Sequence, residues 1–349
     1  MELHTIGIDL GRQYFIWLAL TGMRGGSAQE AVSTPTASLH SEPARAVDWY
    51  GSLRRSVLFR RALREQEHEV RLIPAQYVKP YVKTNKSDYI DAEAIAEAVG
   101  RPTMRFVPIK TDQQLDLQSL HRVRERWVMR RTAVINQTRS LLLERGITLP
   151  KGRCHLEAAL PGIIEDATAR LSSALRILLT QMKLELDQLV MRIEEADVGI
   201  KQVAQENEAC RRLVTIPGVG PVTATALIAA IGNGAAFRKG REFAAWIGVV
   251  PREYSTGGKQ KLLGISKRGN PYLRRLFVQG ARSVMMHRTK QSSGLSQWLE
   301  KLSLHKHHNI ALVALANKLA RMAWAVLATG QAYRPPMLVD LGSAEQACR

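Results

Sequence analysis

The apolar positions change period twice along the chain. Thr5-Ile6-Gly7-Ile8-Asp9-Leu10-Gly11 is a short apolar run ending in Asp-x-Gly, and Tyr14 to Leu20 is a second, so the pattern predicts a hairpin. Val70-Arg71-Leu72-Ile73-Pro74 predicts a third strand, entered from a basic helical stretch over Arg60 to Gln66. Between these runs, Gly22 to Pro43 is rich in Gly, Ser, Thr and Pro and has neither the strand nor the helix period. From residue 92 the period lengthens, and Ala92, Ala94, Ile95, Ala96 and Ala98 mark an alanine-rich helix.

Beyond residue 110 the pattern is helical. Thr111 to Arg145 carries Leu115, Leu120, Val123, Trp127, Val134, Leu141 and Leu142 on one face, and Gly146 and Pro150 end it. Gly152 to Pro161 reads as a linker. A long helix follows, with apolar residues at Leu171, Leu175, Leu178, Met182, Leu186, Leu189, Ile193, Ala196, Ile200 and Val203. The spacing of three or four, with one stutter between Met182 and Leu186, predicts a coiled coil, either between chains or as an intramolecular helical hairpin. Trp298 and Leu302 fall on a short amphipathic helix, Asn309 to Leu327 on a near-continuous apolar packing helix, and the tail after Pro335-Pro336 has no pattern. The expected division is an α/β domain over 1–110, a helical and coiled-coil region over 111–205, a mostly α domain over 206–335, and a loose tail over 336–349.

Charge changes this picture. The 349 residues carry a formal net charge of +19, which points to a polyanion such as nucleic acid. No apolar run is expected to reach the length that spans a bilayer, so a membrane partner is disfavoured. Cys154, Cys210 and Cys348 are odd in number and far apart, which argues against a disulfide framework or a zinc site and fits a reducing cytoplasm. His305, His307 and His308 lack an accompanying carboxylate or cysteine and read as a solvated basic loop. The 111–145 helix interleaves its apolar face with Arg122, Arg124, Arg126, Arg130, Arg131 and Arg139, a face suited to phosphates, with Arg122, Arg126 and Arg130 the best placed to reach them.

Three places carry candidate chemistry. Asp88 and Asp91 are three apart at the start of the alanine-rich helix, so both carboxylates can share a face; a divalent cation offsets their repulsion, although a helix N-terminus also attracts Asp. Leu213-Val214-Thr215-Ile216-Pro217-Gly218-Val219-Gly220-Pro221 resembles a helix-hairpin-helix motif, in which Gly218 and Gly220 let backbone N–H groups face a phosphate; a plain packing corner is the alternative. Between residues 251 and 290 there are ten Lys and Arg against one acid, Glu253. There Ser255-Thr256-Gly257-Gly258-Lys259 and Gly264-Ile265-Ser266-Lys267-Arg268-Gly269-Asn270-Pro271-Tyr272-Leu273-Arg274-Arg275 place a hydroxyl pair among guanidiniums, suited to attack on a DNA phosphate or to a simple phosphate clamp.

Strand, hairpin, helix, strand and the Asp88 helix together resemble an RNase H-like (RuvC-like) domain. The run from His68 to Lys83, followed by Asp88 and Asp91, is similar to the DEDD transposases of bacterial insertion sequences, and the Piv-type DNA invertases are similar too. The resemblance implies a metal site of Asp9, a glutamate, Asp88 and Asp91 holding Mg²⁺. It also implies a serine that bonds covalently to DNA, matched here by Ser255 or Thr256, with Lys259, Lys267, Arg268, Arg274 and Arg275 as the surrounding cations. Further implications are a dimer or tetramer whose site combines the acids of one subunit with the serine of another, a structured guide RNA, and a place with the bacterial nucleoid.

The glutamate is where this chain departs from the pattern. The family has Met-Glu-Ala-Cys-Gly ahead of the Val70 strand, and this chain has Tyr50-Gly51-Ser52-Leu53-Arg54. Asp48 to Arg54 can be encoded by GAC TGG TAT GGA AGC TTG CGG, which one nucleotide later reads Thr-Gly-Met-Glu-Ala-Cys-Gly. Residues 21–61 are therefore expected to be translated out of the ancestral frame, and Gly22 to Arg55 to pack poorly. Simple divergence, with the acid supplied by Glu42, Asp48 or Glu65, is the alternative. Two other functions compete with transposition: a non-catalytic helix-hairpin-helix DNA-binding protein, and a metal-dependent junction nuclease.

Overall fold

The structure is a computed structural model that describes residues 3–10, 15–21, 45–49, 71–83, 88–287 and 294–335. The chain divides into two compact units, Met1–Ile109 and Lys110–Arg349.

The first unit is a four-stranded sheet with helices. Its strands are β1 (Leu3–Leu10), β2 (Phe15–Thr21), β3 (Arg45–Trp49) and β4 (Arg71–Ile73), in the order β2-β1-β3-β4. The expected hairpin is present as antiparallel β1 and β2, while β1–β3 and β3–β4 are parallel. A short helix, α1 (Ala75–Val78), leads through a 3-10 turn towards α2 (Asp88–Val99), which packs on β1 and β2. Ala94 and Ala98 are small enough to let α2 lie close to its neighbours. They share a core with Ile73, Val78, Ile95 and Val99, which Tyr77 and Phe106 flank.

β3 corrects part of the expectation for this region. Arg45-Ala46-Val47-Asp48-Trp49 lies within the stretch expected to pack poorly, yet it is an inner strand between β1 and β4. Its Ala, Val and Trp suit a pleated surface, and parallel neighbours on both sides satisfy its backbone groups. Gly22 to Pro43, Gly51, the Arg60 to Gln66 helix and the tail from residue 336 lie outside the described residues.

The second unit is helical. Its long arm pairs α3 (Asp112–Leu143) with α5 (Ser173–Glu206), and α4 (Arg153–Glu165) lies between them in sequence. α3 begins with a capping box in which Thr111 Oγ1 accepts the Gln114 N–H and Gln114 Oε1 accepts the Thr111 N–H. α3 and α5 run antiparallel: Arg124 bonds Asp197, Arg130 bonds Glu185, and Val134 packs with Leu186 and Leu189.

The apolar stripe of α5 is thus used inside the chain, as a helical hairpin, but it follows the expected seam imperfectly. Leu178 is 52% exposed while Leu179 is fully buried, and Ala204 rather than Val203 is buried at the far end. The stutter turns the first part of α5 towards α4, where Leu175 and Leu179 meet Leu156 and Leu160. Those last two contacts also explain why the expected linker over 152–161 is helical. Burial of Leu156 and Leu160 outweighs the backbone hydrogen bond that Pro161 cannot make.

The arm joins a compact helical core of α6 (Glu208–Val214), α7 (Pro221–Ile231), α8 (Gly240–Ile247), α9 (Pro271–Met286), α10 (Gly294–His305) and α11 (His308–Thr329). Phe243 and Phe277 pack edge to face at the centre with Leu273, Leu315 and Leu319. Between α8 and α9 runs a two-stranded ribbon, β5 (Pro251–Glu253) and β6 (Leu262–Ile265). α11 corrects the membrane argument, because by length and hydropathy it could span a bilayer. Nine of its residues are instead buried in this core. His307 has a local role, its Nδ1 accepting the Asn309 N–H at the start of α11.

Candidate active site and nucleic-acid face

The acidic residues sit where strand and helix meet in the first unit. Asp9 is the penultimate residue of β1, in register with Ile16 of β2 and Trp49 of β3. Asp88 opens α2, and Asp91 follows less than a turn later, 5% exposed. Since α2 packs on β1, the fold brings the segments bearing these three carboxylates together. All three are hard oxygen donors, which fits a divalent cation such as Mg²⁺. Asp48, an alternative source of the fourth acid, shares its register with Ile8 rather than Asp9. Glu42 and Glu65 lie outside the described residues.

In the second unit the hydroxyl pair caps the ribbon. Thr256 and Lys259 bridge each other through backbone bonds, Lys259 N to Thr256 O at 3.0 Å and Thr256 N to Lys259 O at 3.4 Å. Gly257 and Gly258 between them have φ of 55° and 76°, the primed turn that matches strand twist. Ser255 Oγ donates to Glu253 Oε1 at 2.6 Å, and Gln260 Nε2 donates to the same oxygen at 3.2 Å. The Ser255 bond, then the Gln260 bond, hold the Glu253 carboxyl below its ordinary range. Every residue from Pro251 to Gly264 is exposed. Glu253 was the residue whose part the sequence hid. It stood out only as a lone acid, and the two-residue alternation of a strand is the signal that places it beside Ser255.

The ribbon is rooted by two tight crossings. Gly269 lies against the end of α8, where a Cβ would fall 1.6 Å from the Trp246 carbonyl oxygen; at Gly248 a Cβ would fall 2.1 Å from the Arg268 oxygen. Arg274 is expected from sequence to meet DNA, but its Nη1 donates to the Ile247 and Arg268 carbonyls at 2.9 and 3.2 Å and so ties this loop down. Arg275 pairs with Glu125 and lies over the Tyr272 ring, and Arg130 pairs with Glu185. Lys259, Lys267, Arg268, Arg122 and Arg126 are exposed.

The Gly218 hairpin joins α6 to α7, and Gly218 backs directly onto α9. A Cβ there would lie 2.6 Å from the Gly280 carbonyl oxygen, and one on Gly280 would lie 2.1 Å from the Gly218 oxygen. Gly218 is therefore needed for helix packing as well as for its φ of 79°. Gly220 caps α7 from an extended conformation, with open space around its Cα.

A buried polar chain fixes the start of α9. Tyr272 Oη lies 3.0 Å from His121 Nδ1, and His121 Nε2 lies 3.0 Å from Thr225 Oγ1, which donates to the Pro221 carbonyl at 2.7 Å. The chain closes when His121 is neutral and carries its proton on Nε2. Beside it Arg124 forms a two-point bond to Asp197. Burial, then Arg124, push His121 down to about 4, with Asp197 opposing. Because the folded value is below the ordinary one, the stability His121 contributes is complete above pH 6.5 and lost as pH falls towards 4. Between pH 7 and 4.5 that loss is about 2 kcal/mol. Urea unfolding of the wild-type chain should show it as an excess over His121→Gln; equal pH dependence in both would remove the assignment.

Comparison with known proteins finds relatives of both units. A family described as transposase IS116/IS110/IS902 matches residues 210–297, and a transposase family of the DEDD IS110 type matches residues 27–146. A probable family 20 transposase of Pseudomonas aeruginosa is 45% identical over 276 residues, covering 79% of this chain and 82% of that one. The transposase for insertion sequence element IS1328 of Yersinia enterocolitica is 43% identical over 266 residues, covering 76% and 79%. A pilin gene-inverting protein of Moraxella bovis is 25% identical over 267 residues, covering 74% and 73%. The DEDD match implies a RuvC-like first unit that uses a divalent metal, and the chain belongs to the IS110/IS116/IS902 family of transposases.

Proposed function

We propose that this chain exchanges DNA strands through a hydroxyl of the β5–β6 ribbon and a Mg²⁺ site on Asp9, Asp88 and Asp91. The observation that carries the reading is the ribbon: a hydroxyl pair on a glycine turn, exposed, beside a carboxylate and rooted in a basic loop. Ser255 Oγ attacks a backbone phosphorus, a P–O bond to serine forms, and the bond to one sugar oxygen breaks. The hydroxyl proton passes to Glu253, and the departing oxygen takes a proton from water. Attack by the hydroxyl of an incoming strand reverses these steps and frees the serine. Lys259, Lys267 and Arg268 offset the charge that develops on the phosphate. Mg²⁺ bound by the three aspartates would supply the same electrostatic help and orient the strand.

Three other features belong to this reading. The Gly218–Gly220 turn serves as a helix-hairpin-helix phosphate contact through the backbone N–H groups at the start of α7, compatible with its packing on α9. The element's own guide RNA lies on the basic faces. Self-association as a dimer or tetramer, by coiled-coil contact, uses the side of α5 turned away from α3. There Ile177, Leu184, Met191 and Val198 recur every seventh residue, each more than half exposed. The non-catalytic DNA-binding alternative lacks a use for the Ser255–Glu253 pair, and the junction nuclease lacks one for the ribbon.

The test is covalent capture. With the acidic set restored as described below, Ser255→Ala should abolish a denaturation-resistant adduct with labelled element-end DNA, while Thr256→Ala reduces it less. Serine is the less hindered nucleophile, and its proton already has an acceptor at 2.6 Å. An adduct that survives Ser255→Ala and disappears with Thr256→Ala moves the nucleophile to Thr256. No adduct from the restored chain with either residue intact favours the alternatives.

A further inference from the structure

The far half of α3 faces the loop that leads into α4, and a cleft of about 340 Å³ lies between them. Arg131, Asn136 and Arg139 line it from α3, and Lys151 and Arg153 from the other side. The cleft is preformed, because Arg139 donates to the Leu149, Pro150 and Gly152 carbonyls at 2.6, 2.6 and 3.4 Å and pins the loop to the helix. Its walls hold four cations and one adjacent acid: Glu157 Oε2 is 3.5 Å from Arg153 Nε, and Glu157 Oε1 is buried without a hydrogen-bond partner. Arg131 is half-buried, and burial, then Arg153, push its guanidinium below the ordinary range. Like charges held this close, with fewer counter-charges than cations, favour an incoming anion.

Size and place narrow the choice of anion. A cleft at the small end of the range of about 300–1,000 Å³ takes one nucleotide, not the convex side of a duplex. His121, which bonds Tyr272 at the start of α9 beyond the ribbon, is fifteen residues before Asn136 on the same helix, or about 22 Å along it at 1.5 Å per residue. We propose that this cleft seats a backbone phosphate of a single nucleic-acid strand, apart from the ribbon, with Arg131, Lys151 and Arg153 as the phosphate contacts and Asn136 free for the sugar or base. The proposal rests on the reading that the chain handles nucleic acid, but it assigns a second strand to a place which the strand-exchange chemistry leaves unused.

The experiment measures fluorescence anisotropy of the full chain with labelled single-stranded RNA, single-stranded DNA and duplex DNA across a salt series. Arg131→Gln with Lys151→Gln should weaken single-strand binding about tenfold at moderate salt and flatten the log–log salt slope by about 1.4, at about 0.7 per lost phosphate contact. Duplex binding should stay within about twofold, since its contacts lie elsewhere. A loss confined to RNA supports the site and identifies its strand as RNA; equal loss for both single strands supports a shared phosphate contact. Unchanged single-strand affinity and slope, or an equal fall for duplex, overturns the proposal. Lys151 is exposed, so Lys151→Gln alone guards against misfolding, and Lys151 should also be shielded from acetylation by a bound single strand. If the wild-type chain binds no duplex, the strand-exchange reading fails; if it binds duplex and the cleft variants behave as wild type, only the cleft proposal fails.

Discussion

Gly269→Ala is expected to destabilise the second unit by about 3–5 kcal/mol, the size reserved for severe backbone conflict. Two costs combine. The residue has φ of 84°, where a Cβ is disfavoured by about 1–2 kcal/mol. That Cβ would also fall 1.6 Å from the Trp246 oxygen, which is backbone and cannot swing aside. Relief requires the loop to lift from the end of α8, which removes both carbonyl acceptors of Arg274 and loosens the ribbon root. Gly264→Ala is the control, because nothing lies within 4 Å of a Cβ there. Chemical unfolding should separate the two, with Gly264→Ala within about 0.5 kcal/mol of wild type. If Gly269→Ala is equally mild, the crossing of loop over helix is wrong.

The second large effect concerns the acids. Under the strand-exchange reading, Asp9, Asp88 and Asp91 stand where the family resemblance implies four acids, with Gly51 at the glutamate's position. A metal short of one anionic ligand is held and oriented less well. The unmodified chain is therefore expected to be inactive or nearly so in excising an element from its own flanking DNA. Restoring the alternate frame over 21–61 should raise Mg²⁺-dependent excision by at least about 100-fold, the cost expected when a metal site loses its support. Gly51→Glu alone should recover little, since its neighbours stay altered. Strong excision by the unmodified chain would end the frame argument. β3 already limits it, because the strand ends at Trp49, level with Asp9, so whatever its frame this stretch kept a place in the sheet.

What was legible in the sequence was what period and charge control. The β1–β2 hairpin, β4, α2, α3 and the long α5 follow from their apolar spacing. β3 was missed because a five-residue strand amid Gly, Ser and Pro has too few repeats to show a period. α4 was missed because Gly152 and Pro161 read as punctuation, while the burial of Leu156 and Leu160 depends on partners far along the chain. Among site residues, type was readable and engagement was not. Arg274, Arg275 and Lys259 look alike in sequence, yet the first ties down a loop, the second pairs with Glu125, and the third is exposed. The His121–Tyr272 bond joins residues 151 apart, and no local pattern encodes it.

The exposure of the β5–β6 ribbon has a consequence for safety. Two strands without a covered face are only marginally stable in water, so the few bonds within the ribbon hold its tip weakly. A protein that cuts DNA gains from a reactive group that is unfinished at rest. Under the strand-exchange reading, a stray encounter with DNA leaves the tip mobile and the hydroxyl misaimed. On that reading, a surface that covers the ribbon along its length would hold the tip and aim the hydroxyl.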